Sequence, residues 1–577
     1  MTGVTQSETG DARAAWRRGS GVRALLDAIL CLYIAVILFR TFEVEGYIIS
    51  TGSMAPSLLG FHKRVVCPSC GFPFAFGIAV DASGTAADTT GSESTRDSNH
   101  RGGEVRCPNC GQDSIDAGIV PPNYGDQLLV QKNLYEFRRP RRWEVVVLKS
   151  PARPTPPFVK RIVGLPNESV QIIDGDIYAD GKICRKDLDE QRALRIPVFD
   201  NDYVPDDPPE ERGGWVVEPS RTPWQVQGHA FAVTSPATAS APSSAPSSAA
   251  SSAASSAPGG ADGEISWLAF RRWVRRGGTY KTDVPLAAAA SDVHLPRTAF
   301  PQLRFDSARG RLACTGALAG SERDRLLATN ADSKVRTAIA ELYERSHEGP
   351  ITDEYGYNRA DSGLVPLAVR DIMLECSVTF DSDAGQVMFE VGDGRQTYRL
   401  TIDRSQKEAR LTAANRDELL RSAAVPQDLA RRPAKIELSI FDRQVIAALD
   451  GAPLFPAWEC ETGRTEPPRR PLRIGARGAT LRVSALKVFR DIHYTRGQGR
   501  NGVDRPIRLA ADEYFVLGDN SPVSNDGRSW TEGAVRESQL IGKPLVVHLP
   551  SRPGEFTLGG HTRYIRIPDF HRMRYIR

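Results

Sequence analysis

An excess of charge of one sign is what this chain most plainly lacks. Its 74 Lys and Arg stand against 70 Asp and Glu, a formal net charge of +4 over 577 residues. That balance argues against nucleic acid as a partner and against acidic substrates, since both need a basic field. No internal repeat is found. Long apolar runs are scarce too: Ala24 to Phe42 alone approaches the roughly 17–20 residues that a membrane helix requires, and no later segment could make a second span. A small-residue cleavage site is also missing after this run, where Arg40-Thr41-Phe42-Glu43 follows. Its absence favours a retained anchor over a cleaved signal peptide. Arg13, Arg17, Arg18 and Arg23 precede the run. They predict a cytoplasmic N-terminus (1–23), one span (24–42) through the cell (inner, cytoplasmic) membrane, and everything after Phe42 outside.

A chain this long predicts two or three folded units, and its Leu, Val, Ile and Phe suffice to build their cores. Two stretches lack the periodicity of structure. Residues 81–103 are rich in Ser, Thr, Asp and Gly and read as a loop; the Ser/Ala/Pro tract 236–262 reads as a disordered, solvated linker or insertion. Between them the pattern is mainly β. Asp126–Tyr178 carries short apolar strands with turns at Pro166-Asn167 and Asp180-Gly181, and 513–547 returns to short strands. Residues 369–494 alternate apolar and polar at about ten-residue spacing, which predicts a β-sandwich. The patch Arg323–Glu344 reads as a helix lying on that sandwich.

Of nine cysteines, Cys31 lies in the span and Cys184, Cys314, Cys376 and Cys460 have no spacing logic, so buried thiols are expected. The other four form Cys67-Pro68-Ser69-Cys70-Gly71 and Cys107-Pro108-Asn109-Cys110-Gly111. Two such knuckles suit a tetrahedral structural zinc, as in a zinc ribbon over 67–112. Two disulfides compete with that reading, because an extracytoplasmic location permits them.

The chemistry-bearing segments are Ile49-Ser50-Thr51-Gly52-Ser53-Met54-Ala55-Pro56-Ser57-Leu58, Gly125-Asp126-Gln127-Leu128-Leu129-Val130, Phe158-Val159-Lys160-Arg161-Ile162-Val163-Gly164, and Gly518-Asp519-Asn520-Ser521-Pro522-Val523-Ser524-Asn525-Asp526-Gly527-Arg528. A serine hydroxyl is a weak nucleophile until a neighbouring base takes its proton. Lysine can be that base only if desolvation lowers its pKa towards neutrality, and an apolar strand can supply this at Lys160. Histidine does not fill the role: none of the nine lies in these segments, and His62 alone is near Ser53.

Together, in this order, the four segments resemble the type I signal peptidase (leader peptidase) family of serine–lysine endopeptidases over about 40–66, 121–185 and 506–550. The resemblance implies that Ser53 is the nucleophile and Lys160 the general base. It puts Thr51 beside the oxyanion hole and has Ser524 orient the lysine. It makes Asp126, Arg161, Asp519, Asn520, Asp526 and Arg528 structural, with Arg161 the partner of Asp519. Catalysis would need no cofactor. Thr51 and Gly527 stand where the family usually has serine, and Trp143-Glu144 replaces the common Gly-Asp. Ile49, Met54 and Leu58 flank the nucleophile with apolar bulk and are expected to face substrate. The implied substrates are pre-proteins whose signal peptides, with small residues at the first and third positions before the cut, lie in the same bilayer.

The resulting fold class is mainly β: an N-terminal transmembrane helix, a split catalytic domain (43–66, 113–185, 506–550), an inserted zinc ribbon, an inserted sandwich (186–505) and a C-terminal tail (551–577). The sandwich's last segment, Leu481–Thr495, resembles the closing strands of concanavalin-like (laminin-G-like) jelly rolls, so a glycan or protein ligand enters as an expected partner, with a non-binding spacer as the alternative. Trp215, Trp224, Trp267 and Trp273 are read as buried in preference to sugar-stacking. Two other functions compete: a non-catalytic glycan or protein receptor built on the sandwich, and a serine–lysine autoprotease acting on its own linker. The intact Ser53, Lys160 and Ser524 weigh against the first, and the membrane span against the second.

Overall fold

The computed structural model describes the chain apart from residues 1–22, 38–43, 79–103, 119, 150–156, 221–223, 235–263, 276, 287–292, 294–299, 359–364, 427–428, 430–431, 461–465, 498, 559–560 and 577. The described part is mainly β. The low-complexity tract and nearly all of the loop between the knuckles lie outside the described residues.

An eight-stranded antiparallel sheet carries the chemistry. Its order is Val44–Ile48, Gln127–Gln131, Leu540–Val547, Val145–Leu148, Phe158–Gly164, Glu513–Leu517, Val535–Arg536, with Arg574–Tyr575 added beside Leu540–Val547. Val145–Leu148 is buried at all four positions, which is why it reads as a continuous apolar run. In the Phe158–Gly164 strand Lys160 lies opposite Val146, and Arg161 lies opposite both Val145 and Leu517. Successive strand side chains leave on opposite faces, so these two cations serve different partners. A four-stranded sheet pairs Ser169–Ile173 with Ile507–Arg508. The segments on either side of the long insertion are therefore hydrogen-bonded neighbours.

Within the insertion a nine-stranded and an eight-stranded antiparallel sheet share one core, with Ile372, Leu374, Val378, Ile436 and Leu438 from the first sheet and Phe270, Phe389, Leu400, Ile474 and Leu411 from the second. Trp215, Trp224 and Trp273 are 7%, 3% and 7% exposed. Trp267 is half-buried, with Arg399 and Arg473 over its ring. Cys314, Cys376 and Cys460 are buried, Cys184 is intermediate and Cys31 is exposed.

Three expectations are corrected here. The helical patch is two helices, Gly320–Thr329 and Ser333–His347, split where the Asp332 side chain caps the backbone N–H groups of Lys334 and Val335. They do not lie on the sandwich: Leu326, Val335, Ile339 and Leu342 pack with Val284, Leu303 and Leu312 of a separate three-stranded sheet. The end of the second helix reaches the sandwich, where His347 stacks on Trp273 at 4.5 Å. The segment expected as a tail is a hairpin, Ser551–Leu558 with His561–Pro568, followed by a strand on the catalytic sheet. At the N-terminus a helix at 23–37 covers residues 24–37 of the predicted span, 38–42 lying outside the described residues, and no described helix is long and apolar enough to cross a membrane.

Candidate active site

Ser53 sits in a short 3-10 turn, Gly52–Met54, closed by the Ala55 N–H on the Gly52 carbonyl at 3.1 Å. The turn is bolted down on both sides. Ile49, Met54 and Leu58 are 5%, 1% and 2% exposed and pack with Leu128, Val130, Val145 and Val147. These three residues, expected to face substrate, pack into the core beneath the nucleophile. Their apolar bulk serves to hold the Ser53 turn against the sheet. Gly125 is required by close approach, since a Cβ there would lie 1.7 Å from the Ile49 carbonyl oxygen.

Lys160 Nζ lies 2.8 Å from Ser53 Oγ and 3.3 Å from Ser524 Oγ. The lysine is 3% exposed. Burial penalises its ammonium and lowers its pKa from 10.5 to about 8; Asp526 pulls it back up, Arg528 pushes it down, and Asp519 raises it. His62, the histidine closest to Ser53 in sequence, is set against acting as a rival base. His62 is 1% exposed, its Nδ1 is 2.8 Å from the Gly60 carbonyl oxygen, and burial lowers its pKa to about 4. Thr51 Oγ1 lies 3.4 Å from Ser53 Oγ on the exposed side of the turn.

The structural residues also meet as the motifs imply. Arg161 donates to Asp519 through Nε at 2.7 Å and Nη2 at 2.6 Å, and through Nη1 to the Trp143 carbonyl at 2.6 Å, with the ion pair 3% and 0% exposed. Arg528 donates to Asp526 through Nε at 2.9 Å and Nη2 at 2.8 Å, and Asp526 accepts from the Gly518 N–H at 3.0 Å. A Cβ on Gly518 would lie 2.2 Å from Ser524 Oγ, so glycine there leaves room for the lysine's second partner. Asp126 accepts from the Leu59 N–H at 2.9 Å and from both Nη atoms of Arg572 at 3.0 Å.

Sequence reasoning missed Arg572, which lies in the supposed tail, and a set from the insertion. Tyr355 donates to the Asp519 carbonyl at 2.7 Å, Tyr357 to the Phe61 carbonyl at 2.9 Å, and Asn358 to Asn520 Oδ1 at 2.8 Å. None sits in a periodic segment, so the sequence around them carries no signal.

The four knuckle cysteines converge. Cys67 and Cys110 sulfurs are 3.6 Å apart, Cys70 and Cys107 3.7 Å, and all four lie within 4.8 Å of one another. A tetrahedron with metal–sulfur bonds of about 2.3 Å has edges of about 3.8 Å, so the donor set fits zinc. Gly71 and Gly111 take φ of 73° and 75°, letting their N–H groups return to the Cys67 and Cys107 carbonyls. Asn109, inside the second knuckle, donates to the Tyr203 carbonyl at 2.7 Å and accepts from the Asp200 N–H at 2.7 Å. The knuckles thus clip the insertion to the region of the nucleophile.

A serine hydroxyl thus lies against a buried lysine amine on an antiparallel β scaffold. The model of the signal peptidase family (peptidase S26) matches residues 121–225 and 478–549, which carry Lys160 and Ser524. Two curated relatives agree: a probable signal peptidase I-2 of Synechocystis sp., 34% identical over 93 residues, 14% of this chain and 39% of the relative, and signal peptidase I V of Bacillus subtilis, 34% identical over 58 residues, 10% of this chain and 33% of the relative. The chain therefore spans well under half the length of each, and its similarity to signal peptidases lies in those segments. Among solved structures, the carbohydrate-binding module CBM66 from Bacillus subtilis is similar at 12% identity over 21% of this chain and 78% of the module, with a TM-score of 0.17.

Proposed function

We propose that the chain is a membrane-anchored serine endopeptidase that removes signal peptides from pre-proteins, with Ser53 as nucleophile and Lys160 as general base. The observation that carries this is the 2.8 Å contact between the Ser53 hydroxyl and a buried amine whose pKa has fallen to about 8. The neutral amine takes the Ser53 proton as Oγ attacks the scissile carbonyl. Lys160, now an ammonium, gives that proton to the leaving amine and then activates the water that hydrolyses the ester. Ser524 holds Nζ in line. The Ser53 N–H, with the Thr51 hydroxyl beside it, supplies the oxyanion site. The edge of the Val44–Ile48 strand that Gln127–Gln131 leaves unpaired offers main-chain groups to an extended substrate.

The apolar side chains of the helix at 23–37 support a lipid anchor: Leu25, Ile29, Leu30, Leu32 and Tyr33 are all 55–65% exposed. Anchoring enzyme and pre-protein in one bilayer raises their effective concentration. Small side chains at the first and third positions before the cut follow from the family kinship. The test is cleavage of such a pre-protein by the full chain in lipid vesicles. Cleavage at the signal-peptide junction, lost in Ser53→Ala, is the expected result; no cleavage, or cleavage retained in that variant, contradicts the proposal.

Cys67, Cys70, Cys107 and Cys110 would hold a structural zinc, which would take no part in the hydrolysis. Elemental analysis of the purified chain should return a single zinc, and a strong chelator should lower the unfolding temperature. A metal-free protein whose four cysteines resist alkylation without reductant would establish disulfides instead.

A further inference from the structure

We infer that Asn358, a residue of the insertion, is a positioning residue for the Ser53 turn and acts through Asn520; the inference rests on the peptidase reading above. Asn520 is fully buried, and its side-chain amide bonds in two directions, with both N–H groups used and Oδ1 accepting once. Nδ2 donates to the Gly52 carbonyl at 3.0 Å and to Asn358 Oδ1 at 2.7 Å, while Oδ1 accepts from Asn358 Nδ2 at 2.8 Å. The Asn520 backbone N–H also donates to the Ser53 carbonyl at 3.0 Å. One residue therefore holds the carbonyls on both sides of the nucleophile's Cα.

The geometry of the peptide bond turns this into chemistry. The Gly52–Ser53 peptide is planar and trans, so its C=O and N–H point in opposite directions. Pinning the Gly52 carbonyl to Asn520 aims the Ser53 N–H the other way, the orientation that fixes the oxyanion donor. A lone asparagine amide could rotate and present its oxygen to the Gly52 carbonyl, which would repel it. The reciprocal pair with Asn358 opposes that rotation, because Asn520 flipped on its own would face donor with donor and acceptor with acceptor. The neighbouring residues seat Asn358 there. Tyr357 donates to the Phe61 carbonyl at 2.9 Å, and its ring lies where a Cβ on Gly52 or on Gly77 would come within 2.2 Å. Tyr355 donates to the Asp519 carbonyl at 2.7 Å. The insertion thus completes the wall behind the nucleophile.

The test uses the full chain in lipid vesicles and a pre-protein with alanine at the first and third positions before the cut. Asn358→Ala should lower kcat about 10- to 100-fold, short of or level with loss of one oxyanion donor, with KM changed by less than about twofold. In an Asn520→Ala background the same substitution should change kcat by less than about twofold, because the two residues act as a unit. Asn358→Asp keeps the acceptor for Asn520 Nδ2 and loses the donor to its Oδ1; if Asn358→Ala does not fold, a lowered kcat in this variant is the supporting result. Unchanged kcat in the folded variant, or an equal loss with and without the Asn520 side chain, overturns the inference. A wild-type chain that cleaves while Asn358→Ala equals it defeats this inference alone; a wild-type chain that never cleaves defeats the peptidase reading.

Discussion

Lys160→Ala and Ser53→Ala should each lower kcat/KM for a pre-protein by roughly four orders of magnitude or more while leaving the fold intact. In the proposed mechanism Ser53 makes the covalent bond to substrate. Without Lys160, the hydroxyl has, among the described residues, no partner in hydrogen-bond reach able to remove its proton: Thr51 at 3.4 Å offers another hydroxyl, and His62 is committed to Gly60. The double variant should be no worse than either single one, because nucleophile and base act as a unit. Lys160→Arg should fail as completely as Lys160→Ala, since a guanidinium stays charged and cannot accept the proton. Ser524→Ala should be milder, about 10- to 100-fold, as it orients the amine without accepting charge. Steady-state cleavage of a pre-protein measures all five. A Lys160→Arg variant with wild-type turnover would end the lysine-base mechanism.

The second large effect is on stability. Asp519→Ala strands the Arg161 guanidinium, 3% exposed, without its carboxylate. Breaking a buried ion pair from one side costs about 3–5 kcal/mol, while replacing both partners by apolar groups of similar volume can be nearly neutral. Asp519→Leu with Arg161→Met should therefore melt closer to the wild type than Asp519→Ala does. The measurement is the unfolding temperature of the transition that carries the catalytic sheet, because a chain of several units need not unfold in one step. The Asp519 variant should also lose activity, since the segment that follows it supplies Asn520 and Ser524. A single variant more stable than the double one would show that the pair is not held as a buried charge.

Much of the catalytic sheet was legible because its strands announce themselves locally, as in Val145–Leu148 and Phe158–Gly164, and because four short motifs in fixed order carry the dyad. The contacts among those motifs were legible only through their chemistry, as Ser53 and Lys160 are 107 positions apart and Lys160 and Ser524 364. Chemistry alone did not decide the rest. Ile49, Met54 and Leu58 look the same in sequence whether they meet substrate or the core, and the structure buries all three. The helical patch looked continuous because apolar spacing persists through Asp332, whose capping role emerges only from the backbone. Tyr355, Tyr357 and Asn358 were invisible for a different reason. They act from within an insertion, on residues more than 150 positions away, through hydrogen bonds that need no pattern.

The central claim is tested most directly by the pH dependence of kcat/KM for pre-protein cleavage. The reactive form of Lys160 is the neutral amine, so activity should rise with pH, tenfold per unit in the acid limb, and level off above a midpoint near 8. A midpoint near 10.5, the value of an ordinary lysine, or near about 6.5, that of an ordinary histidine, would contradict a buried lysine as the base.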